Sequence, residues 1–213
     1  MAKIKDHSLY LIITEEYARG RSATEIAKSA IAGGVDIIQL REKKKSEEEI
    51  LKTGKELLAL CKKNKVTFIM NDDPYLAKKA GADGVHLGEE DVKKYPLAET
   101  RRIIGSDKII GLSTHSIEKV KEASPEDIDY IAFGPIFPTT VKGYSIGTKD
   151  MKKVLEIVEK PVFFIGGIDM SNIDEILKSG GKNIAVIRGI SQADDITETT
   201  KKFKKKITQR RKR

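Results

Sequence analysis

The segment TFIMNDDPYLAKKAGADGVHLGEED, residues 67–91, contains one complete repeat unit of the chain. Thr67-Phe68-Ile69-Met70 is a short apolar run rich in strand formers. Asp73 before Pro74 has the residue types of a helix start: a side-chain oxygen for unpaired amides, then a ring that needs no amide hydrogen. Gly81 marks the stop, and Gly84-Val85-His86-Leu87 forms the next apolar run. Strands separated by helices read as neighbours in a parallel sheet.

Outward from this segment the unit recurs eight times. The expected strands are 9–14, 36–40, 67–70, 84–87, 109–112, 130–133, 162–165 and 184–187. Between them apolar residues fall at helical spacing, as in Ile50, Leu57, Leu58 and Cys61, or Ile173, Ile176 and Leu177. Ser22 with Glu25 and Ser46 with Glu49 have capping-box spacing. Gly33-Gly34, Gly105 and Gly180-Gly181 punctuate further helix ends. Eight such units in about 200 residues predict an α/β protein, a single-domain (β/α)8 TIM barrel. The structural competitor is an open doubly wound sheet, because closure leaves no mark on sequence.

Composition narrows the class. The 213 residues, 39% hydrophobic and 34% charged, fit one globular domain. Cys61 is the only cysteine, so no intrachain disulfide forms and a cysteine-based zinc site is excluded. No apolar run approaches the roughly 20 residues that span a bilayer, and the first eight residues are charged rather than signal-like. No membrane contact is expected, and the expected location is the cytoplasm. The net charge is +8, but residues 201–213 hold nine Lys or Arg and no acid. The rest of the chain has 31 basic against 32 acidic residues. The expected division is a barrel over 1–200 and a basic C-terminal tail over 201–213, the solvated end of the last helix. With Phe203 as its only aromatic, the tail offers bases no stacking platform, so nucleic acid is not the expected partner.

In a barrel of this kind chemistry is carried where strands end. Gln39, Arg41 and Lys43 alternate at the end of the second strand and can share one side, a cradle for a polyanion; an exposed charged strand end is the competing reading. Asp72 and Asp91 follow adjacent strands and could supply hard oxygen ligands to Mg2+. Helix capping is equally consistent, since Asp73 before Pro74 and Asp91 before Val92 resemble helix starts. Ser113, Thr114 and His115 follow the fifth strand, with His115 open to a structural or a proton-handling role. Gly134 to Gly147 forms a long loop, and Gly166-Gly167 and Gly189 follow the last two strands, where barrels often hold phosphate.

The motifs Gln39-Leu40-Arg41-Glu42-Lys43, Asn71-Asp72-Asp73, His86-Leu87-Gly88-Glu89-Glu90-Asp91, Gly111-Leu112-Ser113-Thr114-His115, Gly134-Pro135-Ile136-Phe137-Pro138-Thr139 and Ile165-Gly166-Gly167-Ile168 resemble, in this order, those of the thiamine phosphate synthase family. The resemblance implies a Mg2+-dependent transferase. It would condense hydroxymethylpyrimidine diphosphate with hydroxyethylthiazole phosphate to thiamine phosphate, releasing diphosphate, by a dissociative path. It further implies that Gln39, Leu40, Arg41, Glu42, Lys43, Asn71, Ser113 and Lys142 hold the pyrimidine diphosphate. Arg41, Lys43, Ser113 and Lys142 would be the catalytic set, and Asp72 and Asp91 the metal ligands. Thr139, Thr140, Val141, Gly167, Ile187 and Arg188 would surround the thiazole phosphate. Two positions depart from the pattern: Val141 stands where the family usually has Thr, and Arg188 where it usually has Ser. The related thiazole tautomerase shares the barrel but is expected to lack the full Asn71, Asp72 and Asp91 set; in that reading His115 moves the proton. A noncatalytic ligand- or polyanion-binding barrel is the alternative from another class. The expected partners are small molecules, and the expected assembly is a monomer or a homodimer.

Overall fold

The computed structural model describes residues 4–123, 127–139 and 143–209. Eight parallel strands close into a barrel in sequence order: β1 Leu9–Ile13, β2 Ile37–Leu40, β3 Thr67–Asn71, β4 Gly84–Leu87, β5 Ile109–Thr114, β6 Tyr130–Phe133, β7 Val162–Ile165 and β8 Asn183–Val186. Closure is direct, with Leu9 opposite Ile184 and Leu11 opposite Val186 where β1 meets β8. The open-sheet alternative is therefore excluded.

The helices are α1 Ala23–Ala32, α2 Glu47–Asn64, α3 Pro74–Ala80, α4 Glu89–Lys94, α5 Leu97–Ile104, α6 Ile117–Glu122, α7 Met151–Ile157, α8 Ile173–Lys178, α9 Arg188–Ser191 and α10 Ile196–Gln209. Local sequence explains their starts. Ser22 and Ser46 each accept from the amide three residues on, and Glu25 and Glu49 each accept from the cap residue's own amide. Asp73 accepts from the Tyr75 and Leu76 amides at 2.8 and 3.0 Å. One expected start moves: α4 begins at Glu89, with Asp91 inside its first turn. The cause is that the Asp91 carboxylate reaches back to accept from the Gly88 amide at 2.7 Å, so Asp91 closes the turn from within.

Because strand side chains alternate, the barrel has two cores. One lies between sheet and helices and includes Leu9, Leu11, Ile38, Phe68, Val85, Ile110, Phe133 and Phe164. The other fills the barrel with Tyr10, Ile12, Ile37, Ile69, Ile109, Tyr130, Phe163 and Ala185. The Tyr10, Tyr130 and Phe163 rings meet edge to face, with centroids 5.2 to 5.9 Å apart. Space for the Tyr130 phenol comes from Gly111 on the neighbouring strand, where a Cβ would stand 2.0 Å from the ring carbon bearing the hydroxyl.

The charge-based division at residue 200 does not coincide with a structural one. Residues 201–209 continue α10, and Phe203 and Ile207 are fully buried. Lys204 donates to Asp36 at 2.5 Å and to the His7 carbonyl at 3.0 Å, and Lys206 pairs with Asp174. This segment is amphipathic, with its apolar face on the barrel and part of its positive charge neutralised by the body.

Gly111→Ala is expected to cost about 1–3 kcal/mol by overpacking the barrel interior, or several degrees of melting temperature at roughly 2–4 °C per kcal/mol. An unchanged thermal unfolding midpoint would contradict the packing described.

Candidate active site

Strand register delivers the polar groups to one mouth. On β2, Ile37 and Gln39 point into the barrel while Ile38 and Leu40 point to the helices. The Leu40 side chain is accordingly buried in the outer core, so any contact it makes with a ligand would come from its backbone. Glu42 turns toward backbone. Its carboxylate accepts from the Glu15 amide at 2.7 Å, a tie to the loop after β1. Burial pushes the Glu42 acid up, opposed by that hydrogen bond.

Lys43 and the two aspartates converge. Lys43 Nζ lies 3.3 Å from Asp72 Oδ2. The Asp72 carboxyl is within hydrogen-bonding reach of the Asp91 carboxyl. Asp72 has φ +69, a left-handed conformation unusual outside glycine, and its amide donates to the His86 carbonyl at 2.9 Å. The turn aims the first acid after β3 at the acid that follows β4. Burial first, and then the neighbouring Asp72, raise the Asp91 carboxyl from 3.8 to about 6, with the Gly88 amide and Lys43 opposing. Arg41 is close enough that its charge is felt at both His86 and Glu42.

Two adjacent carboxylates beside ammonium and guanidinium groups suit a small hard cation that carries a polyanion. Among the described residues no group of three or more His, Cys, Asp or Glu gathers. The protein's share would thus be two carboxylates, the number Mg2+ typically takes while water and phosphate fill its other positions. The donor set fits.

Below the rim runs a feature that the sequence did not expose. Gln39 Nε2 donates to the Tyr10 hydroxyl at 2.6 Å, which lies 2.9 Å from the Tyr130 hydroxyl. Tyr130 lies 2.8 Å from His86 Nδ1, and His86 Nε2 lies 2.8 Å from Ser113 Oγ. Burial pushes the His86 imidazole down to about 4 and both phenols well above their ordinary range. The available signal was two tyrosines in strand positions that alternate inward. Such a hydroxyl needs a partner, but its partner lies many strands away in sequence.

On the opposite side, the loop after β6 lies on the turn after β7. Ile136 and Phe137 amides donate to the Ile165 and Gly166 carbonyls at 2.9 and 3.0 Å. Gly167, at φ +64, sits so close beneath Phe137 and Pro138 that a Cβ would come within 2.7 Å of the Pro138 carbonyl oxygen. Thr139 follows on this loop; Thr140, Val141 and Lys142 lie outside the described residues. Ile187 packs on the inner core, and the Arg188 guanidinium carbon stands 5.7 Å from the Tyr17 ring centroid. His115 Nδ1 donates to the Gly134 carbonyl. Asn71 ends β3 beside His86.

A family model described as thiamine monophosphate synthase matches residues 9–190. A thiamine-phosphate synthase of Halalkalibacterium halodurans is 40% identical over 97% of this chain and 98% of its own length. One of Persephonella marina is 39% identical, over 93% and 95%. The solved thiamine phosphate pyrophosphorylase of Pyrococcus furiosus superposes with a TM-score of 0.86 at 33% identity, over 95% of this chain and 96% of that one. Among the described residues no helix is long and apolar enough to cross a membrane.

The raised Asp91 acid fixes a pH dependence. Between about pH 4 and 6 the folded chain holds a proton that the unfolded chain has lost, so without added divalent cation stability falls as pH rises through that window. Asp91→Asn should flatten that slope in urea titrations across pH 4–7. Added Mg2+ should raise the melting temperature more at pH 7.5 than at pH 5, because the cation competes with the proton. A shift larger at pH 5 would contradict the cation assignment.

Proposed function

The chain belongs to the thiamine monophosphate synthase family, and on that premise we propose that its β-strand carboxyl ends join 4-amino-5-hydroxymethyl-2-methylpyrimidine diphosphate to hydroxyethylthiazole phosphate, yielding thiamine phosphate and diphosphate. One juxtaposition carries the reading: Lys43, Asp72 and Asp91 in mutual reach, with Arg41, like Asp72, close enough for its charge to be felt at His86.

The chemistry needs this arrangement. Breaking the bond between the pyrimidine methylene carbon and the diphosphate oxygen builds negative charge on the leaving group. Arg41 and Lys43 would be the donors for that charge. Arg41 can grip two phosphate oxygens at once, and its guanidinium has no ion-pair partner among the described residues. Asp72 and Asp91 would hold Mg2+, which when bound supplies further neutralisation of the diphosphate oxygens. Lys142 would add a third cation from the loop after β6. Gln39, Asn71 and Ser113 would orient the pyrimidine, so that the methylene carbon faces the thiazole nitrogen as the diphosphate departs. No strong general base is needed, because the attacking nitrogen carries a lone pair and no proton. This suits a site whose one inward histidine, His86, is buried and neutral.

Thr139, Gly167, Ile187 and Arg188 would take the thiazole phosphate at the β6–β8 side. Stacking on Tyr17 holds the Arg188 guanidinium near this side, a cation where the family usually has a serine. The diphosphate and the monophosphate are thereby given separate cationic regions.

Incubation with both precursors should give thiamine phosphate and diphosphate in equal amounts, only when Mg2+ is present; no product under saturating precursors would overturn the assignment. Arg41→Ala should lower kcat/KM for the pyrimidine diphosphate by about 10²- to 10³-fold. A loss confined to the thiazole phosphate would contradict the placement. Asp72→Ala and Asp91→Ala should each raise the Mg2+ concentration needed for half-maximal rate and lower turnover.

A further inference from the structure

A barrel interior is ordinarily filled with branched apolar residues. This one contains five polar side chains in unbroken sequence from β2 to β5. Gln39, Tyr10, Tyr130, His86 and Ser113 are linked by contacts of 2.6, 2.9, 2.8 and 2.8 Å. Tyr10, Tyr130 and Gln39 are at most 1% exposed and His86 is 8%. Hydroxyls buried this way must be paired to be tolerated, which accounts for the links but not for where the chain ends. Both ends are inward-facing residues near strand carboxyl termini, Gln39 and Ser113, two of the three neutral groups assigned above to the pyrimidine.

Counting protons gives the chain a direction. Gln39 donates its amide hydrogen to Tyr10, so the single Tyr10 proton must go to Tyr130, its only other partner. The single Tyr130 proton then goes to His86 Nδ1. The imidazole must be neutral with its proton on Nε2, donated to Ser113 Oγ. The Ser113 proton remains for the mouth. At the other end the Gln39 amide carbonyl has no partner among the described residues. A doubly protonated His86 would donate to Tyr130, which already accepts from Tyr10, and leave the Tyr130 proton without an acceptor.

We propose that Tyr10, Tyr130 and His86 are positioning residues forming one proton-ordered chain across the barrel, which fixes Gln39 as an acceptor and Ser113 as a donor toward the substrate. That polarity matches an aromatic edge with an amino group beside a ring nitrogen, such as an aminopyrimidine presents. The opposite amide orientation at Gln39 would reverse every bond, turn Ser113 into an acceptor and place the histidine proton on Nδ1. The sequence reserves room for the chain's centre: Gly111 gives up its side chain to the Tyr130 phenol, and His86 stacks on that ring at 5.5 Å with planes 23° apart.

The inference rests on the proposed function for the identity of the ligand, but the order of the chain can be read without any ligand. In the full chain with 15N-labelled histidine, long-range 1H–15N correlation at neutral pH should show His86 as the Nε2–H tautomer, assigned by its loss in His86→Asn. A wild-type Nδ1–H tautomer, or a mixture, would overturn the proposal. In Tyr130→Phe the His86 tautomer should become mixed. Tyr130→Phe and Tyr10→Phe should each raise KM for the pyrimidine diphosphate about tenfold or more and leave KM for the thiazole phosphate within twofold. A merely structural role would lower the melting temperature without separating the two substrates, and equal losses on both would overturn the proposal. Should Tyr130→Phe not fold, the wild-type tautomer and the Tyr10→Phe kinetics decide. Absence of turnover in the unaltered chain would count against the proposed function alone, since the tautomer is measured on the free protein.

Discussion

Two carboxylates, Asp72 and Asp91, meet at the open end of the barrel with Lys43 against one of them. Like charges this close are unfavourable, and burial first, then the neighbouring Asp72, push the Asp91 acid up. The backbone nevertheless enforces the meeting. β3 and β4 are hydrogen-bonded neighbours, Asp72 is held in a left-handed conformation with its N–H donating to the His86 carbonyl, and Asp91 is fixed at the helix start by Gly88. Strained backbone and opposed charges at one spot are common signs of a site built for a ligand that relieves them. A divalent cation bearing diphosphate is such a ligand.

The rest of the architecture serves this arrangement. Barrel closure sets β2 beside β3, and the two-residue alternation of strands then selects which side chains enter the mouth. Gln39 enters and Leu40 does not; Lys43 reaches Asp72 while Glu42 is tied back to the loop after β1. The opposite wall is assembled by a different device, backbone hydrogen bonds that lay the loop after β6 onto the turn after β7, with Gly167 as the point of closest approach. The cationic cluster and the loop after β6 thus occupy separate walls, as two phosphorylated ligands on the proposed reading would require.

The periodic part of this design was legible in the sequence. Apolar runs, serine–glutamate boxes and glycine stops located all eight strands, with end shifts of one or two residues. The residue pattern also brought Arg41, Lys43, Asp72 and Asp91 forward as one group, because each follows a strand. The expectation failed where outcome depends on which face a residue takes or on partners distant in the chain. Which way the Leu40 and Glu42 side chains turn, to the outer core and to the Glu15 amide, could not be read from their motif. Asp91 resembled a helix start because its capping bond runs backward. The basic segment after residue 200 looked solvated by charge alone, although Phe203 and Ile207 at helical spacing bind it to the barrel. Least visible of all was the bond between Tyr10 and Tyr130, 120 residues apart.

The central claim, that Asp72 and Asp91 share one cation which presents diphosphate to Arg41 and Lys43, is tested most directly by anomalous diffraction from crystals grown with Mn2+ and the pyrimidine diphosphate. The account predicts a single strong peak about 2.0–2.2 Å from an oxygen of each aspartate, octahedral and completed by water and phosphate oxygens. A peak bound to only one of the two aspartates, or diphosphate seated away from Arg41 and Lys43, would contradict it.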